Sequence, residues 1–338
     1  MSILFSGGKS RPYEFVHRGR PPTFEQYPGR GVLLLSPLDT HEELWLAACL
    51  EELRVPTALL PLPLAPAKVR LSLGDCLRLE VRGQEIPVQR LGAARYLCNL
   101  ECPRPPGISQ VEHDFDVSEW RTSLWTLREN LPIFWLNDPY RAGVSRLGVL
   151  ELARSLGLRT PRTLVTNDPL TARGFRERVG PCVVKRVGHS FPTTPQGDIF
   201  PIFTRRLTLS DLAAPRLSAC PVLIQEEIPK RCEYRVFVVG DEILPFRLKV
   251  GEALDWRELG AFAVERQPVR LSEDLEDRLR RLVRAYGLVY AALDLLEDRQ
   301  GAIYFLELNP NGTYEFCDSL VRPRITERLA RLLAAACR

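Results

Sequence analysis

The sequence predicts an α/β protein, with a parallel strand–helix–strand unit near its start and antiparallel hairpins toward its end. Three observations predict it. The apolar run Gly31–Ser36, helical spacing through Glu43–Leu53 and a second run at Thr57–Leu62 form one strand–helix–strand unit. Paired apolar stretches flank Gly240-Asp241 and Gln300-Gly301, which read as hairpin turns. The length of 338 residues exceeds one ordinary core, so two or three packed subdomains are expected.

The first 30 residues are rich in Gly, Pro and Arg and read as an irregular extension. Phe5–Ser10 resembles a phosphate-binding loop only in outline, because no strand precedes it and no helix follows. Leu71–Arg82 alternates and turns at Gly83, which suggests a hairpin, so residues 31–135 read as a small α/β domain. Leu131–Leu136 is a strand, and a helix from Ser145 to Leu156 stops at Gly157. Thr163–Thr166, Pro181–Lys185, Ile199–Leu207 and Pro221–Ile228 read as strands, and Asp168-Pro169 opens a helix. Tyr234–Val250 and Leu288–Leu308 form hairpins, with helices at Glu273–Tyr286 and Thr326–Ala336. The expected division is 1–30, 31–135, 136–220 and 221–338.

Composition excludes several function classes. Lys+Arg 46 against Asp+Glu 42 gives a net charge of +4, too balanced for a general nucleic-acid binder. The apolar stretches fall short of the ~20 residues that span a bilayer, and no targeting segment is read at the start. Nine scattered cysteines, an odd count, suggest reduced thiols and a cytoplasmic location. Cys98 and Cys102 are close but lack partners for a zinc site.

The last hairpin carries the strongest chemical signal. Each strand places a carboxylate among apolar neighbours, where an isolated charge is costly and must be paired or bind a cation. If Gln300-Gly301 is a two-residue loop, Asp294 lies directly opposite Glu307, and like charges there repel. Asn309 shares the face of Glu307 through the period of two. Two carboxylates and an amide offer the hard oxygen ligands that magnesium takes. The plain alternative is that both acids pair with nearby arginines. Lys185, ending a β-rich run before a loop, could contact phosphates as a point charge or extend to solvent from a strand end. Val222–Ile228, followed by Glu233-Tyr234-Arg235, could present backbone groups to a purine base and a carboxylate to a ribose, though acids after a strand more often face solvent.

Taken in order, these elements resemble the ATP-grasp superfamily, and in detail the microviridin-type peptide ligases, or graspetide synthetases. The stretches are Trp135–Pro139, Gly157–Asn167, Val183–Lys185, Gln225–Val239, Asp255-Trp256-Arg257 and Leu306–Gly312, collinear over about residues 31–335. The resemblance implies an ATP-grasp fold behind a pre-ATP-grasp domain, with ATP and Mg2+ as cofactors. It assigns Asp294, Glu307 and Asn309 to magnesium, with Glu307 bridging, and Lys185 to the phosphates. It makes Glu226 and Ile228 the adenine hinge and Glu233 the ribose ligand. It puts Arg235 and Arg247 on adjacent strands at the transferred phosphate. It also gives Arg146 to the nucleotide's phosphates, where the family often has lysine; Ala291 stands where a glycine is usual, and the loop Gly188–Pro192, with His189, is atypical.

The implied reaction activates a carboxylate as an acyl-phosphate and joins it to an amine or hydroxyl. In the peptide-ligase reading the substrate is a ribosomal precursor peptide with a leader, macrocyclised by ester or amide links. A homodimer is implied, with neither nucleic acid nor membrane as partner. An intermolecular amino-acid or glutamate ligase and a non-catalytic ATP- or peptide-binding protein are the alternatives.

Overall fold

The computed structural model describes residues 23–37, 41–62, 69–81, 83–97, 107–188, 202–213, 215–251, 253–260, 264–317 and 321–338. Phe5–Ser10, most of the first 30 residues, Cys98, Cys102 and His189 lie outside them.

The first part of the chain is a parallel sheet. Strand β1 (Gly31–Pro37) leads through helix α1 (His41–Glu52) to β2 (Thr57–Leu62). Strands β3 (Val69–Ser72), β4 (Arg78–Val81) and β5 (Gln84–Ile86) follow as an antiparallel meander. The expected turn at Gly83 joins β4 to β5, where Gly83 holds φ +81°, and Gly74 at φ +116° lies between β3 and β4. Strand β6 (Leu91–Tyr96), the long helix α2 (Gln110–Asn130) and β7 (Phe134–Leu136) complete the unit. Its sheet runs β2-β1-β6-β7, with every pairing parallel. Helix α2 starts at a capping box: Ser109 Oγ accepts from the Glu112 amide at 3.2 Å, and Glu112 Oε2 accepts from the Ser109 amide at 2.8 Å.

Helix α3 (Arg146–Ser155) begins at Ser145, whose hydroxyl accepts from the Gly148 amide, and ends before Gly157 at φ +81°. Strand β8 (Thr163–Thr166), helix α4 (Pro169–Val179, capped by Asp168), strands β9 (Cys182–Lys185) and β10 (Arg205–Arg206), helices α5 (Leu209–Ala213) and α6 (Pro215–Ala219) and strand β11 (Val222–Glu226) follow. They make a small sheet in the order β10-β9-β11-β8 over a core of Phe175, Leu212 and Ile224. The strand expected over Ile199–Leu207 is only β10 among the described residues.

Strands β12 (Lys230–Val239) and β13 (Glu242–Lys249) turn at Gly240-Asp241, and β14 (Glu265–Pro268) extends that sheet. Helix α7 (Glu273–Ala285) precedes strands β15 (Tyr290–Asp298) and β16 (Ile303–Asn309), and helix α8 (Val321–Ala335) follows. The five-stranded sheet reads β14-β13-β12-β15-β16. One face packs Tyr234, Val236, Val238, Leu293 and Leu308 onto α3 and α7. The other packs Phe237, Phe246, Tyr290 and Ala292 in one core with Leu34, Leu46, Ala93 and the apolar side of α8, so it is continuous with the first sheet. No helix among the described residues is long and apolar enough to cross a membrane.

That shared core contains charge. Glu42 and Glu43, in the first turn of α1, and Arg95 on β6 are all buried. Arg95 Nε lies 2.8 Å from Glu43 Oε1, and its Nη2 lies 3.7 Å from Glu42 Oε2. Two carboxylates share one guanidinium. Burial pushes the Glu42 carboxyl up to about 7 and raises that of Glu43, against the pull of Arg95. A carboxyl raised from its ordinary 4.5 to about 7 takes up a proton on folding in that window, so its share of stability is full at low pH and is lost as pH rises through about 7. Urea unfolding at pH 5.5, 7 and 8 should therefore show stability falling with pH. Glu43→Gln, which leaves Arg95 one carboxylate, should flatten that fall, and an unchanged slope would refute the shared-guanidinium account.

Candidate active site

The chemistry-bearing residues gather on the face of the five-stranded sheet that carries Phe237 and Phe246. Asp294 on β15 pairs directly with Glu307 on β16, as expected, although the turn differs from the expected one. The Asp298 amide donates to Ala302 O at 2.9 Å, and the Asp298 carboxylate accepts from the Gln300 and Ala302 amides at 2.9 and 2.8 Å. Arg299, Gln300 and Gly301 thus form a three-residue turn rather than a two-residue one. That change would slip the register by one, but a bulge between Asp294 and Leu295 in the pairing leaves Leu306 unpaired and restores it. Asp294 therefore still faces Glu307, while Phe305 and Leu308 stay in the core on the other side.

Both acids are also paired with arginines. Arg235, directly across from Asp294 on β12, reaches both of its oxygens from Nη1 at 2.9 and 3.0 Å. Arg146, the first residue of α3, places Nη1 2.9 Å from Glu307 Oε2. The pairing alternative and the cation alternative thus meet in one place, since these arginines are two that the resemblance gives to phosphate. Burial raises the Asp294 carboxyl and the adjacent Glu307 adds to it, while Arg235 pulls it down.

Asn309 pairs with Ala292 and shares the face of Glu307. Its side-chain oxygen accepts from the Asn311 amide at 3.0 Å, which shapes the turn into Gly312. Gly312 rests against the site: a Cβ there would lie 2.3 Å from that of Ala292 and 2.8 Å from Arg235 Nη2. Among the described residues no cluster of three or more His, Cys, Asp and Glu could hold a metal. The donor set is two carboxylates and an amide, all hard oxygens on one sheet face, which suits magnesium sharing its shell with water and phosphate oxygens.

Lys185, at the end of β9, brings the small sheet to this face. Its Nζ donates to Gln225 Oε1 at 2.8 Å, and burial lowers its pKa, opposed by the charge of Glu307 and reinforced by that of Arg146. Glu233 lies two residues before Arg235, hence on the same face, and holds Lys230 Nζ at 2.6 Å. Burial raises its carboxyl, Lys230 lowers it, and Asp294 and Asp255 raise it further. Glu226 ends β11, with its amide donating to Arg162 O at 2.9 Å and its Oε2 accepting from the Arg162 amide at 3.2 Å. Ile228 sits half-buried in the link from β11 to β12.

Arg247 does not join this group. It pairs with Tyr234, whereas Arg235 pairs with Phe246, so the two arginines point to opposite faces of the sheet. Arg247 stacks over the Tyr234 ring at 5.9 Å, beside Glu297. Adjacency of strands placed it near Arg235, and the pleat separates them. Arg257, from the motif Asp255-Trp256-Arg257, is near instead. Arg257 feels the charges of Glu307 and Asp294, and it grips Asp255 through Nε and Nη2 at 2.8 and 2.5 Å. Burial opposes ionisation of Asp255, but Arg257 and the Thr204 and Arg257 amides bring it down to about 2. The motif Asp255-Trp256-Arg257 was the available signal.

Comparisons with known proteins bear on the fold. The α-aminoadipate–LysW ligase LysX of Sulfolobus acidocaldarius is 25% identical over 177 residues, which cover 51% of this chain and 62% of that protein, less than two thirds of its length. Macrocyclase MdnC of Microcystis aeruginosa MRC, bound with precursor peptide MdnA, superposes with a TM-score of 0.79 at 24% identity, covering 90% of this chain and 99% of the other. A RiPP-associated ATP-grasp ligase of Chryseobacterium gregarium, in complex with ADP and a leader and core peptide, gives 0.81 at 22% identity over 90% and 97%. No protein-family model matches the sequence. The fold is that of the ATP-grasp ligases.

Binding of a non-hydrolysable ATP analogue with magnesium, measured by titration calorimetry, should weaken about tenfold or more in Arg235→Gln, which loses charge-assisted bonds at the site. Arg247→Gln, on the opposite face, should change it less than twofold. The reverse order would put Arg247 at the phosphates.

Proposed function

From its ATP-grasp fold we propose that the chain is an ADP-forming carboxylate–amine or carboxylate–alcohol ligase that macrocyclises a leader-bearing precursor peptide. The observation that carries this reading is the cross-strand pair Asp294 and Glu307, with Asn309 beside them, on a sheet face that Arg235, Arg146 and Lys185 also reach. The likeness to a macrocyclase bound with its precursor peptide supports the substrate class. The match to a ligase acting between α-aminoadipate and LysW keeps an intermolecular ligase as the second reading.

In this mechanism Glu226 and Ile228 hold the adenine edge, Glu233 takes ribose hydroxyls, and Lys185 and Arg146 take phosphate oxygens. A substrate carboxylate oxygen attacks the γ-phosphorus, the bond to the β–γ bridging oxygen breaks, and ADP leaves. Arg235, with Arg257 nearby, offsets charge on the transferred phosphoryl group. Asp294, Glu307 and Asn309 would hold magnesium, which supplies Lewis-acid neutralisation of the phosphates. With Arg235 and Arg146 engaged by phosphate, Asp294 and Glu307 would be available to hold that ion. The peptide's amine or hydroxyl then attacks the acyl carbon, phosphate departs, and the acceptor's proton passes to phosphate or solvent. No cysteine or serine of the chain acts as nucleophile.

The same reading divides the chain into an N-terminal pre-ATP-grasp domain (31–135), a central subdomain (136–220) and a C-terminal subdomain carrying the site (221–338). It takes the exposed Val111, Phe115 and Trp125 of α2 as a surface for a homodimer. The reduced thiols of Cys49 and Cys182 fit a reducing cytoplasm.

Incubation with ATP, magnesium and an acidic precursor peptide tests the proposal by mass spectrometry. A product lighter by one water per ring, with matching ADP, is expected. A product heavier by an added residue means intermolecular ligation, and binding without ADP formation means a non-catalytic protein.

A further inference from the structure

Segment 309–315 begins with a candidate metal ligand and runs back into the first core, where buried polar groups hold it at several points. Asn137, at the end of β7, donates from Nδ2 to Tyr290 O at 2.7 Å and to Pro310 O at 2.8 Å. Its Oδ1 accepts from the Val289 and Tyr290 amides at 2.9 and 3.0 Å. The Tyr290 hydroxyl donates to Gly312 O at 2.5 Å. The Glu42 carboxylate does the most, because one oxygen collects three donors. Its Oε1 accepts from the Thr313 hydroxyl, from the Tyr314 amide at 2.5 Å and from the Glu315 amide at 2.7 Å.

We propose that Glu42 is a positioning residue for the metal site: from the opposite end of the chain it anchors the backbone of 313–315 and so fixes where Asn309 and Gly312 sit against Asp294, Glu307 and Arg235. This rests on the ligase reading of that face. The physical link is short. Glu42 is fully buried, so its bonds to the segment face no competition from water. Gly312 immediately precedes the anchored residues and is wedged against Ala292 and Arg235 with no room for a methyl group. A segment loosened at 313–315 lets Gly312 lift, Arg235 lose its wall and Asn309 drift from the carboxylates. Groups that orient ligands in this way typically carry about 10–100-fold of metal affinity.

The magnesium dependence of ADP binding, followed with a fluorescent ADP analogue, separates positioning from general support. Glu42→Ala should raise the half-saturating magnesium concentration about tenfold, while affinity for the analogue in EDTA stays within twofold of the natural chain. Glu42→Gln keeps an acceptor oxygen for the two amides and should restore the magnesium response. Glu42→Asp, which keeps the charge but draws it one methylene away, should fall between them and serves if the alanine variant does not fold, as judged by circular dichroism. An unchanged magnesium response in folded Glu42→Ala or Glu42→Asp, or equal losses with and without magnesium, overturns the proposal. A natural chain that binds the analogue without any response to magnesium overturns the ligase reading of the site instead.

Discussion

Two carboxylates facing each other across neighbouring strands are the constraint on which this molecule is arranged. Directly opposed like charges on a sheet repel, and partial burial strengthens the repulsion. Arg235 from the adjacent strand and Arg146 from a helix start relieve it, with Arg257 and Lys185 close enough to add to the positive field. The result is a patch where acids and bases are balanced but tightly packed. In the ligase reading proposed above, phosphates and a divalent cation arriving together would exchange partners with this patch, since each newcomer gives the displaced group an opposite charge.

The fold supplies that patch from separate pieces. The large sheet uses one face for an apolar seat on α3 and α7, which fixes the strands. Its other face is half core and half site, and the core half is shared with the parallel sheet and α8. The site therefore stands on two units at once, and buried polar anchors such as Asn137 and Glu42 cross between them. A single bulge at Leu306 lets the acids face the site while the aromatic and leucine neighbours stay buried.

Much of this was legible in the sequence where local chemistry decides. Hairpins at Gly240-Asp241 and around Gln300-Gly301, the helix between Ser145 and Gly157, and the Asp168 cap follow from turn and capping residues alone. The opposition of Asp294 and Glu307 was also legible, though through two offsetting departures: a longer turn and a compensating bulge. Helix α2 was missed despite the Ser109 and Glu112 capping box, because its apolar residues are sparse and several face outward. What the sequence hides is what depends on the third dimension. The side of the pleat on which Arg247 falls depends on register, and the reach of Arg257 depends on a loop packed beside Asp255. In sequence Glu42 and Glu43 are indistinguishable from ordinary first-turn acids at a helix start. Only the apposition of two units shows that they are enclosed.

Crystals grown with a non-hydrolysable ATP analogue and manganese, a magnesium stand-in with usable anomalous scattering, test the central claim most directly. The account predicts an anomalous peak within coordination distance of Asp294, Glu307 and Asn309, with Arg235 and Arg146 turned toward phosphate oxygens. Nucleotide bound with manganese elsewhere, and both guanidiniums still on their carboxylates, would contradict it.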